Sequence, residues 1–392
     1  MSNTFSEDQL AIVAAVREFT AAELAPFANE RDQTKQFPVD ALERAGRLGL
    51  GGIYVGDEVG GSALSRMTAA LVFEELARGD TAIAAYLSIH NMVAWMIDRH
   101  GDDVQRERWL PRMCSLVDRG SYCLTEPSAG SDAAAVTTSA AREGDGYVLN
   151  GVKQFISGAG SSAVYLVFAR TGEPGPRGIS AFVVPGGASG LSFGAEEKKM
   201  GWNAQPTRQV VLDGVRVPVA DRLGTEGEGF SIAMSGLDGG RVNIAACSLG
   251  GAQWALDRTV RYVRERETFG RPLAEHQSVV FTLADMATEL HAARLLVHDA
   301  AEAIDAGDDD ATSRCAMAKR FATDAAFTVA NSALQLHGGY GYLSEYGIER
   351  VVRDLRVHQI LEGTNEIMRM IVGRRLLSSR AAPSAAARGS SR

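Results

Sequence analysis

The residues able to do chemistry gather in a few short segments. In Ile360-Leu361-Glu362-Gly363-Thr364-Asn365-Glu366 a carboxylate follows two apolar residues and precedes a break in the chain. A glutamate so placed is expected to be partly desolvated, which raises its pKa and makes it a better base near neutrality. A solvated loop glutamate is the blander alternative. Thr364 or Asn365 is a suitable N-cap for a final helix. Tyr122-Cys123-Leu124-Thr125-Glu126-Pro127-Ser128-Ala129-Gly130-Ser131-Asp132 ends an apolar strand in proline, glycine and small hydroxyls. Such a loop can bring hydroxyls and backbone N–H groups to a polar ligand, or merely make a capped turn. In Lys153-Gln154-Phe155-Ile156-Ser157 an aromatic stands two residues before a hydroxyl. On an extended strand both share a face, one to stack on a ring and one to bond its edge; an ordinary half-buried strand reads as well.

Further segments carry cations and glycines. Arg264 to Gln277 includes Arg266, Phe269 and Gln277, with a helix expected to end near Phe269–Gly270. Its arginines either answer the helix dipole or hold a phosphate-bearing cofactor. Gln335-Leu336-His337-Gly338-Gly339 ends a long helix in two glycines, as a C-cap or as room for a large flat or anionic ligand. Ser235-Gly236-Leu237-Asp238-Gly239-Gly240-Arg241 reads as a helix start with a small-residue gap beside an arginine. No HExxH, GxSxG, CxxC or GxGxxG between strand and helix occurs, which argues against a zinc site, a serine hydrolase, a dithiol and a Rossmann fingerprint. No metal site is expected.

The elements that must position these residues show in the texture of the chain. At 392 residues it exceeds one ordinary core and calls for two or three domains. Residues 1–120 read as a helical domain, with Leu10, Val13, Val16 and Leu71, Leu76 at helical spacing and Asp80 or Thr81 as a cap. Residues 121–231 read as a small antiparallel β domain. Short β-type runs (Tyr147–Asn150, Ala163–Ala169, Ile179–Val184, Val210–Leu212) alternate there with Gly, Pro and Asp turns. Residues 232–380 read as a four-helix-type bundle. One seam runs through Val279, Leu283, Met286, Leu290, Ala293, Val297, Ala300 and Ile304, another through Cys315, Ala318, Ala322, Ala325, Val329, Ser332 and Leu336. Residues 381–392, rich in Ala and Ser, are expected to be disordered. This α+β order of helices, sheet and helices excludes a doubly wound sheet, so a nucleotide cofactor must lie between a β surface and a bundle.

The net charge of −8 disfavours nucleic acid and anionic membrane as partners. No apolar run approaches the roughly 18 residues of a membrane span. The start shows no secretory pattern. A bacterial cytoplasmic protein is expected. The four dispersed cysteines read as core thiols.

Together and in order, YCLTEPSAGSD, KQFISGAG, RERETFGRPLAEHQ, QLHGGYGY and ILEGTNEIMR resemble the acyl-CoA dehydrogenase family over residues 5–378. The resemblance implies one FAD per chain, a homotetramer built as a dimer of dimers, and an electron-transferring flavoprotein as acceptor. It implies that Glu362 is the base, and that Tyr122, Leu124, Thr125, Gly130, Ser131, Phe155, Ile156 and Ser157 lie along the flavin. Arg266, Phe269 and Gln277 would reach the FAD of a neighbouring subunit. Gln335, Leu336, Gly338 and Gly339 would line its dinucleotide part, with Thr364 and Glu366 near it. Ser131, Asp238, Gly240, Arg241 and Gly363 would meet substrate. Some members carry the base at the position of Gly240, so the glycine favours Glu362. Asp238 and Ser128 depart from the asparagine and glycine expected there, which bears on substrate preference.

The implied reaction is α,β-dehydrogenation of an acyl-CoA. Glu362 would take the α-proton and flavin N5 the β-hydride, with the thioester carbonyl held by the Glu362 N–H and a ribityl hydroxyl. The stretches AYLSIHNMVAWMID, GWNAQPTR, LDGGRVNIAACSLGGA and LADMAT resemble members acting on isobutyryl-CoA, which implies methacrylyl-CoA as product and a place in valine catabolism. The alternatives are another short-chain substrate such as 2-methylbutyryl-CoA, an acyl-CoA oxidase, or an inactive flavin- or CoA-binding scaffold.

Overall fold

Side-chain caps decide where the first helices begin. In the computed structural model, which describes residues 5–379, Ser6 and Gln9 form a capping box at the start of α1 (Glu7–Phe19). Asp80 accepts from the N–H groups of Ala82 and Ile83 at 3.1 and 3.2 Å, and so separates α4 (Arg66–Gly79) from α5 (Thr81–His100). Between and after them lie α2 (Ala28–Thr34), α3 (Val39–Arg47) and α6 (Asp103–Cys114). The tail expected at 381–392 lies outside the described residues.

The strands are β1 (Gly120–Cys123), β2 (Ser139–Glu143), β3 (Gly146–Ser157), β4 (Val164–Arg170), β5 (Ile179–Pro185), β6 (Leu191–Phe193), β7 (Thr207–Pro218) and β8 (Arg222–Leu223). They form one sheet in the order β6-β7-β3-β2-β4-β5-β8, with β1 added on β4. The pairing is antiparallel except that β1 runs parallel to β4 and β2 touches β4 in parallel at Ser139–Arg170 alone. Strands β3 and β7 are paired along most of their length, with register shifts between Leu149 and Gly151 and between Lys153 and Ile156. The second shift is a bulge, and it decides where Phe155 points.

The C-terminal helices are α7 (Gly229–Glu265), α8 (Gln277–Asp305), α9 (Ala311–His337), α10 (Ile348–Arg356) and α11 (Asn365–Ser379). Helix α7 starts at Gly229, so the 235–241 stretch lies inside it rather than opening it, and it stops at Glu265, before Phe269–Gly270. There Glu267–Thr268 (β9) and Arg271–Pro272 (β10) make a small hairpin. Small residues let α7 run against its neighbours: a Cβ on Gly250 would come 2.1 Å from the Glu74 carbonyl oxygen of α4. The α8 seam is buried at Val279, Met286, Leu290, Ala293, Val297 and Ala300. The α9 seam is buried at Cys315, Ala318, Ala322, Ala325 and Val329, then drifts to Ala330 and Ala333 while Ser332 is half-buried. A 3.6-residue helix loses a strict 3.5-residue stripe in this way.

Candidate active site

The chain between α10 and α11 turns at two successive left-handed residues, Glu362 (φ 53°) and Gly363 (φ 91°). A side-chain-bearing residue in that region is strained by about 1–3 kcal/mol and needs support from its surroundings. Two cations give it. Arg241 of α7 donates from Nε to the Glu362 carbonyl at 3.3 Å and from Nη1 to Asp238 at 2.7 Å. Lys319 of α9, fully buried, donates to the Gly363 carbonyl at 2.8 Å and to Asn365 Oδ1 at 3.0 Å. Neither cation bonds the Glu362 carboxylate. Both its oxygens are buried without a hydrogen-bond partner among the described residues. Burial pushes its pKa up from 4.5 to about 7, against the opposing charges of Lys319 and Arg241.

Gly240 stands behind this carboxylate. A Cβ there would lie 2.6 Å from Glu362 Oε2 and 2.9 Å from Met92 Sδ. The glycine leaves room for the base. Asp238 faces Arg241 and accepts from Thr312 Oγ1 at 2.6 Å, outside the lining of the cavity. For Asp238 and Gly240 the structure therefore supports a role in placing the loop, in contrast to the substrate contact expected from sequence.

Glu362 opens into a cavity of about 480 Å³ where the N-terminal helices, the sheet and the C-terminal helices meet. Ile89 and Met92 of α5 and Phe230, Met234 and Leu237 of α7 give apolar walls. Tyr122, Leu124, Thr125, Gly130, Ser131, Phe155, Ile156, Ser157, Arg241, Gly363 and Thr364, all expected at the site, line the same space. Phe155 and Ser157 stand two apart on β3, and the register shift before Ile156 lies beside Phe155, with Gln154 and Ile156 lining the same space. Phe155 has φ 59° and is 65% exposed. The Tyr122 hydroxyl is buried and has no partner among the described residues, and burial and the Glu362 charge push the phenol pKa up. A lone desolvated carboxylate in a mostly apolar cavity suits removal of a proton from a weak carbon acid.

A second glutamate with a buried carboxylate holds the 124–138 loop. Glu126 Oε1 accepts from Lys153 Nζ at 2.7 Å and from the Thr138 N–H at 2.9 Å, and Oε2 accepts from the Thr137 N–H and hydroxyl at 2.7 and 2.8 Å. Lys153 also donates to the Leu124 carbonyl at 3.0 Å. The Lys153 charge and these hydrogen bonds overcome desolvation and lower the Glu126 pKa to about 2.

Other expected residues gather elsewhere. Arg266, Gln335, Leu336, Gly338 and Gly339 line a separate cavity of about 380 Å³. Phe269 is 98% exposed in the β9–β10 turn, and Gln277 is exposed at the start of α8. Glu366 lies with Thr364, Asp324, Arg356 and Arg369 in a third hollow. The first cavity fits a flavin in chemical kind, with an exposed ring, hydroxyls at Thr125 and Ser157, and a carboxylate left without a partner. Among the described residues no group of three or more His, Cys, Asp or Glu could hold a metal, and no helix is long and apolar enough to cross a membrane.

Sequence reading missed Lys319. Its signal was a cation among the alanines of a buried seam, next to Ala318 and three residues before Ala322. It also missed the apolar walls from α5 and α7, which look like ordinary helix core.

Family comparison places all three regions. Residues 6–116, 121–215 and 227–377 match the N-terminal, middle and C-terminal domains of acyl-CoA dehydrogenase. The chain is 53% identical over 372 residues to a protein named isobutyryl-CoA dehydrogenase, mitochondrial, from Bos taurus, covering 95% of this chain and 89% of that one. A Dictyostelium discoideum protein of the same name is 50% identical, with the same coverage of 95% and 89%. Among solved structures, a chain of the electron transferring flavoprotein study of Acidaminococcus fermentans superposes with a TM-score of 0.94 at 40% identity, covering 96% of this chain and 100% of that one.

Proposed function

The chain belongs to the acyl-CoA dehydrogenase family, and from that premise we propose that it oxidises a short branched acyl-CoA at its Cα–Cβ bond, isobutyryl-CoA to methacrylyl-CoA first among them. One observation carries the reading: the Glu362 carboxylate is buried, unpartnered and open to the cavity, with its pKa raised to about 7. FAD is the cofactor, and when bound it supplies the acceptor for the hydride that leaves Cβ.

The protein's part is orientation and proton transfer. Glu362 takes the α-proton. Its N–H donates to no acceptor among the described residues, so it is free to meet the thioester carbonyl as charge develops there. A preorganised donor of this kind is worth roughly 3–4 kcal/mol. Arg241 and Lys319 hold the loop from its two sides, and their charges limit how far the base is neutralised. Ile89, Met92 and Leu237 give the acyl group an apolar seat and exclude water.

A homotetramer, an electron-transferring flavoprotein as acceptor, valine breakdown as pathway and a bacterial cytoplasmic location belong to the same proposal. Exposed apolar side chains at Phe269, Phe281, Tyr342 and Leu343 support an assembly in which Arg266, Phe269 and Gln277 serve a neighbour's cofactor. Light scattering tests it: four times the 41.7 kDa chain mass is expected.

The function is tested anaerobically by mixing FAD-loaded protein with isobutyryl-CoA, 2-methylbutyryl-CoA, isovaleryl-CoA and butyryl-CoA and following flavin absorbance. Fastest bleaching with isobutyryl-CoA is expected. Fastest bleaching with another ester moves the substrate and pathway; no bleaching by any sinks the dehydrogenase reading, and rapid peroxide release in air marks an oxidase.

A further inference from the structure

One polar tie crosses from the sheet domain to the loop that carries the base. The loop 200–205, before β7, docks on α10. A Cβ on Gly201 would lie 2.5 Å from the Arg353 carbonyl carbon, and the Trp202 N–H donates to Asp354 Oδ1 at 2.6 Å. Trp202 itself adopts φ 56° and is 5% exposed. Its indole Nε1–H donates to His358 Nε2 at 3.2 Å, and the rings meet edge-on with centroids 5.4 Å apart.

The indole can only donate, so Nε2 must accept and the proton of a neutral His358 sits on Nδ1. Nδ1 is 2.7 Å from Ser248 Oγ, and Ser248 donates to the Ile244 carbonyl at 2.8 Å. The direction of every bond is thereby fixed, from Trp202 through His358 and Ser248 to α7. Burial first, then the Lys319 charge, lowers the His358 pKa to about 3, so the tautomer persists at all working pH values.

Both ends of the tie reach the cavity. On one side Gln205, fully buried, accepts Lys199 Nζ on its carbonyl at 2.7 Å and donates from Nε2 to Ser157 Oγ at 3.3 Å. On the other, the N–H groups of Ile360 and Leu361 fold back on the Val357 carbonyl at 2.8 and 3.0 Å, so the turn holding His358 sets the entry to Glu362. We propose that Trp202 and His358 are a positioning pair that couples the strand presenting Phe155 and Ser157 to the loop presenting Glu362. Neither touches the reacting atoms. The pair keeps the two sides of the cavity in register, and it rests on the dehydrogenase reading only for what that register accomplishes.

Trp202→Phe keeps one aromatic ring and removes the donor with the pyrrole half of the indole, and His358→Asn keeps a donor toward Ser248 while removing the acceptor for Trp202. Two measurements separate the claims. Hydrogen exchange by mass spectrometry reads the peptide covering 357–368 in each variant without any substrate. Anaerobic bleaching by isobutyryl-CoA, normalised to bound FAD, reads the register. Trp202→Phe is expected to speed exchange in that distant peptide and to slow bleaching roughly ten- to a hundredfold. The double variant should be no slower than the slower single, because both remove one bond. Unchanged exchange at 357–368 overturns the tie. Faster exchange with bleaching at the wild-type rate, or effects that multiply in the double variant, overturns the positioning role. If wild-type protein bleaches with no acyl-CoA, the proposed function fails instead, and the exchange arm still decides whether the tie exists.

Discussion

Glu126 and Glu362 both have buried carboxylates, and the two are put to opposite uses. The Glu126 carboxylate accepts four hydrogen bonds, one of them the ion pair with Lys153, and its pKa falls to about 2. The Glu362 carboxylate has two cations nearby and bonds neither, and its pKa rises to about 7. Burial acts on both in the same direction. Whether the neighbouring donors reach the carboxylate or are turned onto backbone carbonyls decides the outcome. Lys153 points its ammonium at the Glu126 carboxylate; the Lys319 ammonium goes to the Gly363 carbonyl and Asn365, and the Arg241 guanidinium to the Glu362 carbonyl and Asp238. One arrangement builds a loop and the other leaves a base uncommitted.

The contrast breaks most heavily at Lys153. Lys153→Met leaves Glu126 buried and unpaired, and should cost about 3–5 kcal/mol in denaturant unfolding, with part recovered in the Lys153→Met/Glu126→Gln double variant. An unchanged midpoint would mean that the pair does not hold the 124–138 loop.

The second test uses the opposite signs of the two shifts. The folded pKa of Glu362 lies above its unfolded value of 4.5, so its contribution is fully present below pH 4.5 and is lost as pH rises through about 7. Glu362→Gln should therefore be more stable than wild type by about 1–3 kcal/mol at pH 8, with the gain vanishing near pH 4.5. Glu126 runs the other way: its folded pKa lies below 4.5, so its stabilisation is present above that pH and is lost as pH falls toward 2. A Glu362→Gln variant less stable than wild type at pH 8 would show that the carboxylate is well solvated or paired.

The smallest expected effect is at Gly240. Gly240→Ala puts a methyl 2.6 Å from Glu362 Oε2, and should cost about 1 kcal/mol and slow bleaching several-fold as the base is displaced. Wild-type bleaching in Gly240→Ala would show that the loop adjusts freely. Gly240→Leu should be worse than Ala across all the esters.

The sequence carried the fold well where a periodic pattern met a strong stop. The α8 seam, the Asp80 cap and the strand runs of 163–169 and 179–184 all survive in place, because each is set by neighbours within a few residues. It misled at Phe269–Gly270, since arginines continue past the true helix end at Glu265 and nothing local announces the hairpin. Strand spacing put Phe155 and Ser157 on one face and both line the cavity, whereas the register shift between Lys153 and Ile156 left no sign in the sequence. Glu362 was readable because apolar residues precede it and a glycine follows. That its oxygens lack partners was not, because this depends on where Arg241 and Lys319 send their donors, 121 and 44 residues away for the carbonyls they bond. The Trp202–His358 bond spans 156 residues and leaves no local trace.

The claim that Glu362 is the base is tested most directly by the pH dependence of anaerobic flavin bleaching at low isobutyryl-CoA concentration, where the free enzyme's ionisation controls the rate. Wild type should lose about tenfold per pH unit below a pKa near 7. Glu362→Gln, with its FAD content intact, should bleach at least a hundredfold more slowly at every pH. A Glu362→Gln variant that keeps the wild-type rate and the same acid limb would contradict the account, for the proton would then be leaving to some other group.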